Sequence, residues 1–107
     1  MSSSFEPMTR EEFERAVEGE LSSLDHDARA SLARWRVSPQ QVHRIFPHGS
    51  GERDPVWVLA RAGAQVLFYD DTEEEWGTAT LDADGTMRDW GTWGDRLGRA
   101  LRQFPSR

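Results

Sequence analysis

Phe13, Val17, Leu21 and Leu24 recur at helical spacing, with Ala16 beside them, which is the signature of one apolar helix face. Thr9 followed three residues later by Glu12 is a capping-box pattern. Together they predict an amphipathic helix over about 10–23, with Glu11, Glu14 and Glu18 on its polar face and Arg15 among them for local pairing. Ala28, Leu32 and Trp35 form the stripe of a second helix from about Asp25 to Arg36. Asp25 and Asp27 suit its positive end, and Arg34 and Arg36 its negative end. Ser38-Pro39 should stop it. One continuous bent helix is the alternative.

After Pro39 the period changes from 3.6 to 2. "QVHRIF" reads as a short strand and "PHGSGERDP", 47–55, as a loop. "VWVLARA" and "QVLFYDD" read as strands joined by a tight turn at Ala62-Gly63-Ala64, the middle of a sheet by their aliphatic and aromatic content. In the second of them, alternation sends Tyr69 and Asp71 to one face and Phe68 and Asp70 to the other. "WGTATLD" and "TMRDW" are the next strands, with a "DADG" turn between them in which Gly85 supplies a positive φ. Trp93, Leu97, Leu101 and Phe104, with Ala100 beside them, predict a C-terminal amphipathic helix capped by Thr92, with Asp95 in its first turn. The expected architecture is α+β: two N-terminal helices, an antiparallel meander of about five strands, and one C-terminal helix packed on the sheet. Helix 1 and the C-terminal helix should cover one sheet face and leave the other partly wet.

With 107 residues the chain is long enough for one domain, with 1–8 expected as a disordered tail. Cysteine is absent, which excludes disulfides and thiolate chemistry. No apolar run is long enough to span a membrane, and "MSSSFEPMTREE" lacks the pattern of a signal peptide, so a cytoplasmic location with no membrane partner is expected. Every base is arginine, read as the codon bias of a GC-rich bacterial genome. The net charge of −6 is uneven: residues 62–84 carry seven acids and no base. Phosphate binding needs a basic footprint, so nucleic acid is not expected as a ligand. A basic protein partner fits, and so does plain solubility.

The stretch 70–94 holds eight carboxylates, three tryptophans and one base, Arg88. Asp82, Asp84 and Gly85 echo the start of an EF-hand, but position 12 of such a loop would be Trp93 rather than a bidentate glutamate. His26, His43 and His48 make no HxH or HExxH spacing. Ser50 lies between glycines in a loop and not at a strand-to-helix elbow, and no GK[ST] follows Gly49 and Gly51. Paired acids could act as general acid and base only in a dry pocket. These comparisons lead to no metal ligand, no cofactor and no catalytic residue. What remains is a recognition face. Asp70, Asp71, Glu73, Glu74 and Glu75, with Trp76, Trp57 and Trp90, would form aromatic anchors ringed by charge, while Trp35 and Trp93 wedge between helix and sheet.

The segment "VWVLARAGAQVLFYDDTEEEWGTATLDADGTMRDWGTWGDRLGRAL", 56–101, resembles small bacterial immunity proteins of polymorphic toxin systems and related small proteins. The likeness lies in an apolar hairpin, "YDDxEE", a "DxDG" turn and a terminal helix. It implies an inhibitor that masks a basic enzyme surface, with Asp70, Asp71, Glu73, Glu74, Glu75 and Trp76 as contacts. The expected function is therefore protein binding, by a monomer or a homodimer, and not catalysis. The alternative is a secretion or assembly chaperone that holds a client segment on an apolar sheet face.

Overall fold

A computed structural model describes residues 8–45 and 53–105 of the chain. Residues 1–7 of the expected tail and 47–52 of the expected loop, with His48 and Ser50, lie outside the described residues.

The helices start where their caps are. Helix α1 spans Arg10–Leu21. Glu12 N–H donates to Thr9 Oγ1 at 3.1 Å and Thr9 N–H donates to Glu12 Oε1 at 2.9 Å, a reciprocal cap that satisfies two open amides. Helix α2 spans His26–Trp35 and is capped by Asp25, whose Oδ1 accepts Ala28 N–H at 2.8 Å. The capped break between them makes two helices and not one bent helix.

Strand β1 runs Arg36–Ile45 and begins directly after α2. This is longer than the "QVHRIF" expected, because Pro39 lies inside the strand. It is accommodated where the register with the next strand shifts, between Arg36↔Ala60 and Gln40↔Val58. A residue without an N–H fits where the ladder is interrupted. Strands β2 (Arg53–Ala62), β3 (Gln65–Asp70), β4 (Glu75–Leu81) and β5 (Met87–Thr92) follow as an antiparallel meander. Gly63 and Gly85, at φ 63° and 82°, make the β2–β3 and β4–β5 turns. The fold is α+β, as expected from the pattern.

The meander closes on itself. Arg44 of β1 registers in parallel with Met87 of β5, giving a barrel in the order β1-β2-β3-β4-β5. This corrects the expectation of a half-wet sheet, because closure turns the second face into a dry lumen. Val56, Val58, Val66, Phe68, Ala79, Leu81 and Met87 fill it. The other face is covered by Phe13 and Val17 of α1, Leu24 and Leu32, and the C-terminal Leu97, Leu101 and Phe104, packed on Leu59, Leu67 and Trp76. Strand alternation therefore feeds two cores: Val66 and Phe68 go inward, Leu67 and Tyr69 outward. Gly77 faces Phe68 across the ladder. A Cβ there would lie 2.5 Å from Phe68 Cζ and 2.6 Å from Gly91 O, so only glycine lets the ring cross the lumen.

The C-terminal helix is shorter than expected. Helix α3 spans Leu97–Leu101. Thr92 is not its cap but the last residue of β5, and Asp95 precedes the helix. The turn into α3 uses Gly94 at φ 99°, and the helix start is served by α1. Glu20 Oε1 accepts Leu97 N–H at 2.8 Å. Among the described residues no helix is long and apolar enough to cross a membrane.

Candidate functional site

The acidic run forms the end of β3, the turn 71–74 and the start of β4. Its members do different things. Asp70 points into the lumen and is 2 % exposed. Its Oδ2 accepts Arg44 Nη1 at 2.8 Å, and its Oδ1 accepts the N–H of Thr72 at 3.0 Å and of Glu73 at 3.3 Å. This corrects its expected place on a recognition face: a carboxylate held by one guanidinium and two amides shapes the turn from inside. Asp71, on the opposite face as alternation requires, is half-buried and accepts Met8 N–H at 2.6 Å. The carboxylates of Glu73 and Glu74 are exposed, and Glu75 is half-buried on β4. Glu74 has φ 56°, a left-handed conformation that a side chain rarely adopts. The turn thus presents Glu73 and Glu74 on a backbone held by Asp70.

Of the tryptophans, Trp76 is corrected in the same way. Trp76 is 1 % exposed and belongs to the outer core, with Tyr69 4.8 Å and Phe13 6.1 Å from its ring centre. It cannot be an exposed anchor. Trp57 is half-buried under α1: it stacks on Phe13 at 5.6 Å and 12°, and its Nε1–H donates to Met8 O at 2.9 Å. Trp90 is half-buried against the lumen core, with the Arg44 guanidinium 5.1 Å from its ring. Trp93 is half-buried against the outer core and donates Nε1–H to Thr78 Oγ1 at 2.9 Å. Trp57, Trp76 and Trp93 belong to the core on the outer face of the barrel, where aromatic rings bury a large apolar area.

Tertiary structure adds residues that no local pattern pointed to. Glu73 and Glu74 share an open cleft of about 520 Å³ with Tyr69, Glu20, Asp95 and Arg96. Glu20 sits on the last turn of α1 and braces the cleft wall, with Oε1 on the Leu97 amide and Oε2 3.3 Å from Arg96 Nη1. Burial, and then the charges of Glu74, Asp71, Asp70 and Glu20, push the Tyr69 phenol above its ordinary value. The cleft is thus a negative concavity with a neutral phenol on one wall. It suits a cationic group that meets several carboxylates at once. The capping pattern at Thr9 located α1, but nothing in the sequence around Glu20 says what it faces.

The other candidates are placed apart from this cleft. His26 and His43 are exposed on α2 and β1. Asp84 accepts Thr86 N–H at 3.1 Å and Thr86 Oγ1–H at 2.6 Å, and Asp82 O accepts Gly85 N–H at 2.9 Å, which makes the "DADG" segment a hydrogen-bonded hairpin turn. Among the described residues no group of three or more histidines and carboxylates is placed to hold a metal ion. Compared with known proteins, the chain matches no family model, no curated protein and no solved structure.

Proposed function

We propose that this protein binds another protein through the acidic turn and its cleft, and that it acts as an immunity-type inhibitor that masks a basic surface of its partner. The observation that carries this reading is the rigid presentation of Glu73 and Glu74. Their turn is capped from inside by Asp70, and Glu20 and Asp95 stand beside them around one cleft. A turn whose backbone is already held loses little freedom on binding, and its exposed charges steer a cationic partner on approach. Asp71 and Glu75 are half-buried at the edge of the same surface. Asp70 and Trp76 support it from beneath and make no contact with the partner.

The chaperone reading has less support. Its apolar sheet face would need Trp57 or Trp90 exposed, whereas Trp57 stacks on Phe13 under α1 and Trp90 is half-buried against the lumen core. The opposite sheet face lines the lumen.

The test is capture from native lysate at low salt, with a variant carrying Glu73→Gln, Glu74→Gln and Glu75→Gln beside the native chain. A basic protein held by the native chain, released by salt and lost with the variant supports the reading. Equal capture by both chains, or release by detergent but not by salt, would overturn it in favour of apolar client binding. Capture of nothing would also count against it.

A further inference from the structure

The Arg44–Asp70 pair joins the barrel seam to the acidic turn directly, across the lumen. Among the described residues, the β1–β5 seam closes through one registered pair, Arg44↔Met87. The Arg44 side chain crosses the lumen from that seam and is itself 4 % exposed. Its guanidinium lies 5.1 Å from the Trp90 ring on β5 and 2.8 Å from Asp70 Oδ2 on β3. The second oxygen of Asp70 holds the amides of Thr72 and Glu73. One residue thus touches both sides of the seam, and through one carboxylate it reaches the turn that presents Glu73 and Glu74.

Each link is directional. A buried carboxylate strongly favours the geometry in which its cation is in place, because either charge alone in the lumen is costly. If the seam opens, Arg44 is drawn away from Asp70, and that carboxylate must turn toward water and release the turn amides. If the turn is rearranged, Asp70 no longer holds Arg44 at the seam. Closure of the seam and capping of the turn thus meet on one carboxylate.

We propose that the β1–β5 seam and the acidic turn are coupled through Arg44 and Asp70, so that a cationic ligand on Glu73 and Glu74 tightens the seam and opening of the seam disorganises the recognition surface. The ligand half of this rests on the function proposed above. Coupling of this kind is reciprocal, so it can be read at either end. Arg44 is a positioning residue in this scheme and touches no partner.

Amide hydrogen exchange on the full chain tests it in two arms. The first needs no ligand. It compares the native chain with Arg44→Gln, which touches no turn amide, and, if that variant is too unstable, with the double variant Arg44→Met/Asp70→Asn, which removes both charges of the pair and keeps an acceptor for the turn. Coupling predicts that exchange at Thr72 and Glu73 and at the β1 and β5 amides around Arg44 and Met87 quickens together, by about tenfold or more, as expected for loss of a charge-assisted hydrogen bond. Leu67 and Phe68 in β3 should stay protected and report global unfolding. Faster exchange at the turn alone, or uniform acceleration that includes Leu67 and Phe68, overturns the coupling.

The second arm adds a nona-arginine peptide to both chains. Coupling predicts slowed exchange at the seam of the native chain and no change at the seam of the double variant. Protection of Thr72 and Glu73 without protection of the seam overturns the coupling but leaves the binding surface standing. No protection anywhere counts against the binding surface, and the first arm then decides the coupling by itself.

Discussion

The Glu20 carboxylate accepts the Leu97 backbone N–H at 2.8 Å across 77 positions of sequence. It replaces the side-chain cap that α3 lacks at Arg96. Glu20→Ala should therefore destabilise the protein by about 1–2 kcal/mol, as for loss of an N-terminal cap. Glu20→Gln, which keeps an acceptor, should cost less. Arg96→Ala should change stability by less than about 0.5 kcal/mol, since that side chain is 68 % exposed and exposed ion pairs contribute little. Urea midpoints of the three variants would settle the order. Equal losses for Glu20→Ala and Arg96→Ala would contradict the capping role.

Gly77 and Gly85 should both resist substitution, for different reasons. At Gly77 an added methyl meets Phe68 Cζ at 2.5 Å, and overpacking of this kind costs about 1–3 kcal/mol. At Gly85 there is open space, but φ is 82°, so alanine adds backbone strain of about 1 kcal/mol. Pairing Gly77→Ala with Phe68→Leu distinguishes them. The smaller side chain should relieve the Gly77 variant in part in a double-mutant cycle, the Gly91 oxygen at 2.6 Å accounting for the remainder, and leave the Gly85 variant as it was.

Glu74 is the reverse case. Its φ of 56° is one that glycine adopts without steric cost. Glu74→Gly should leave the protein as stable or stabilise it by up to about 1 kcal/mol, while it removes one carboxylate from the cleft. Glu74→Val, with a branched Cβ, should destabilise it. A loss of stability in the glycine variant would mean that the Glu74 side chain contributes more than its backbone strain takes away.

Tyr69 is the single tyrosine of the chain, so its ionisation can be followed by absorbance near 295 nm. Burial and the neighbouring acids raise its pKa above the ordinary value near 10.0. The native state thus holds the phenolic proton more tightly than the unfolded chain. Stability from this source is fully present below about pH 10 and is lost as pH rises through the native pKa. Glu74→Gln removes the neighbouring charge that raises it most and should lower the titration midpoint. Added salt should lower it too, by screening. A midpoint in the native protein at or below that of the unfolded chain would contradict the placement of Tyr69 beside the acids.

Local chemistry made much of the architecture legible. Thr9 with Glu12 and Asp25 with Ala28 are contacts three residues apart, so the capping patterns locate both helix starts. Alternation in "QVLFYDD" separates Phe68 from Tyr69 correctly, because a strand has a fixed period. The glycine turns at 63 and 85 follow from backbone sterics alone. The candidate site was legible only in part. Glu73 and Glu74 are where a polar turn should put them, but Asp70, three residues before Glu73, is one of the most buried charges among the described residues. Composition cannot separate a solvated carboxylate from one that holds Arg44, since both are aspartates in an acidic run. Trp76 is indistinguishable from an anchor for the same reason.

By itself the sequence determined the helix starts, the strand alternation, the hairpin turns and hence the α+β order, because each depends on interactions within a few residues. Only the tertiary structure decided that the sheet closes at Arg44 and Met87, that its second face is a dry lumen, and that Glu20 joins Glu73, Glu74 and Asp95 at one cleft. Closure depends on the accumulated twist of five strands and on which buried charges find partners across it. Those are sums over distant residues, and no stretch of sequence contains them.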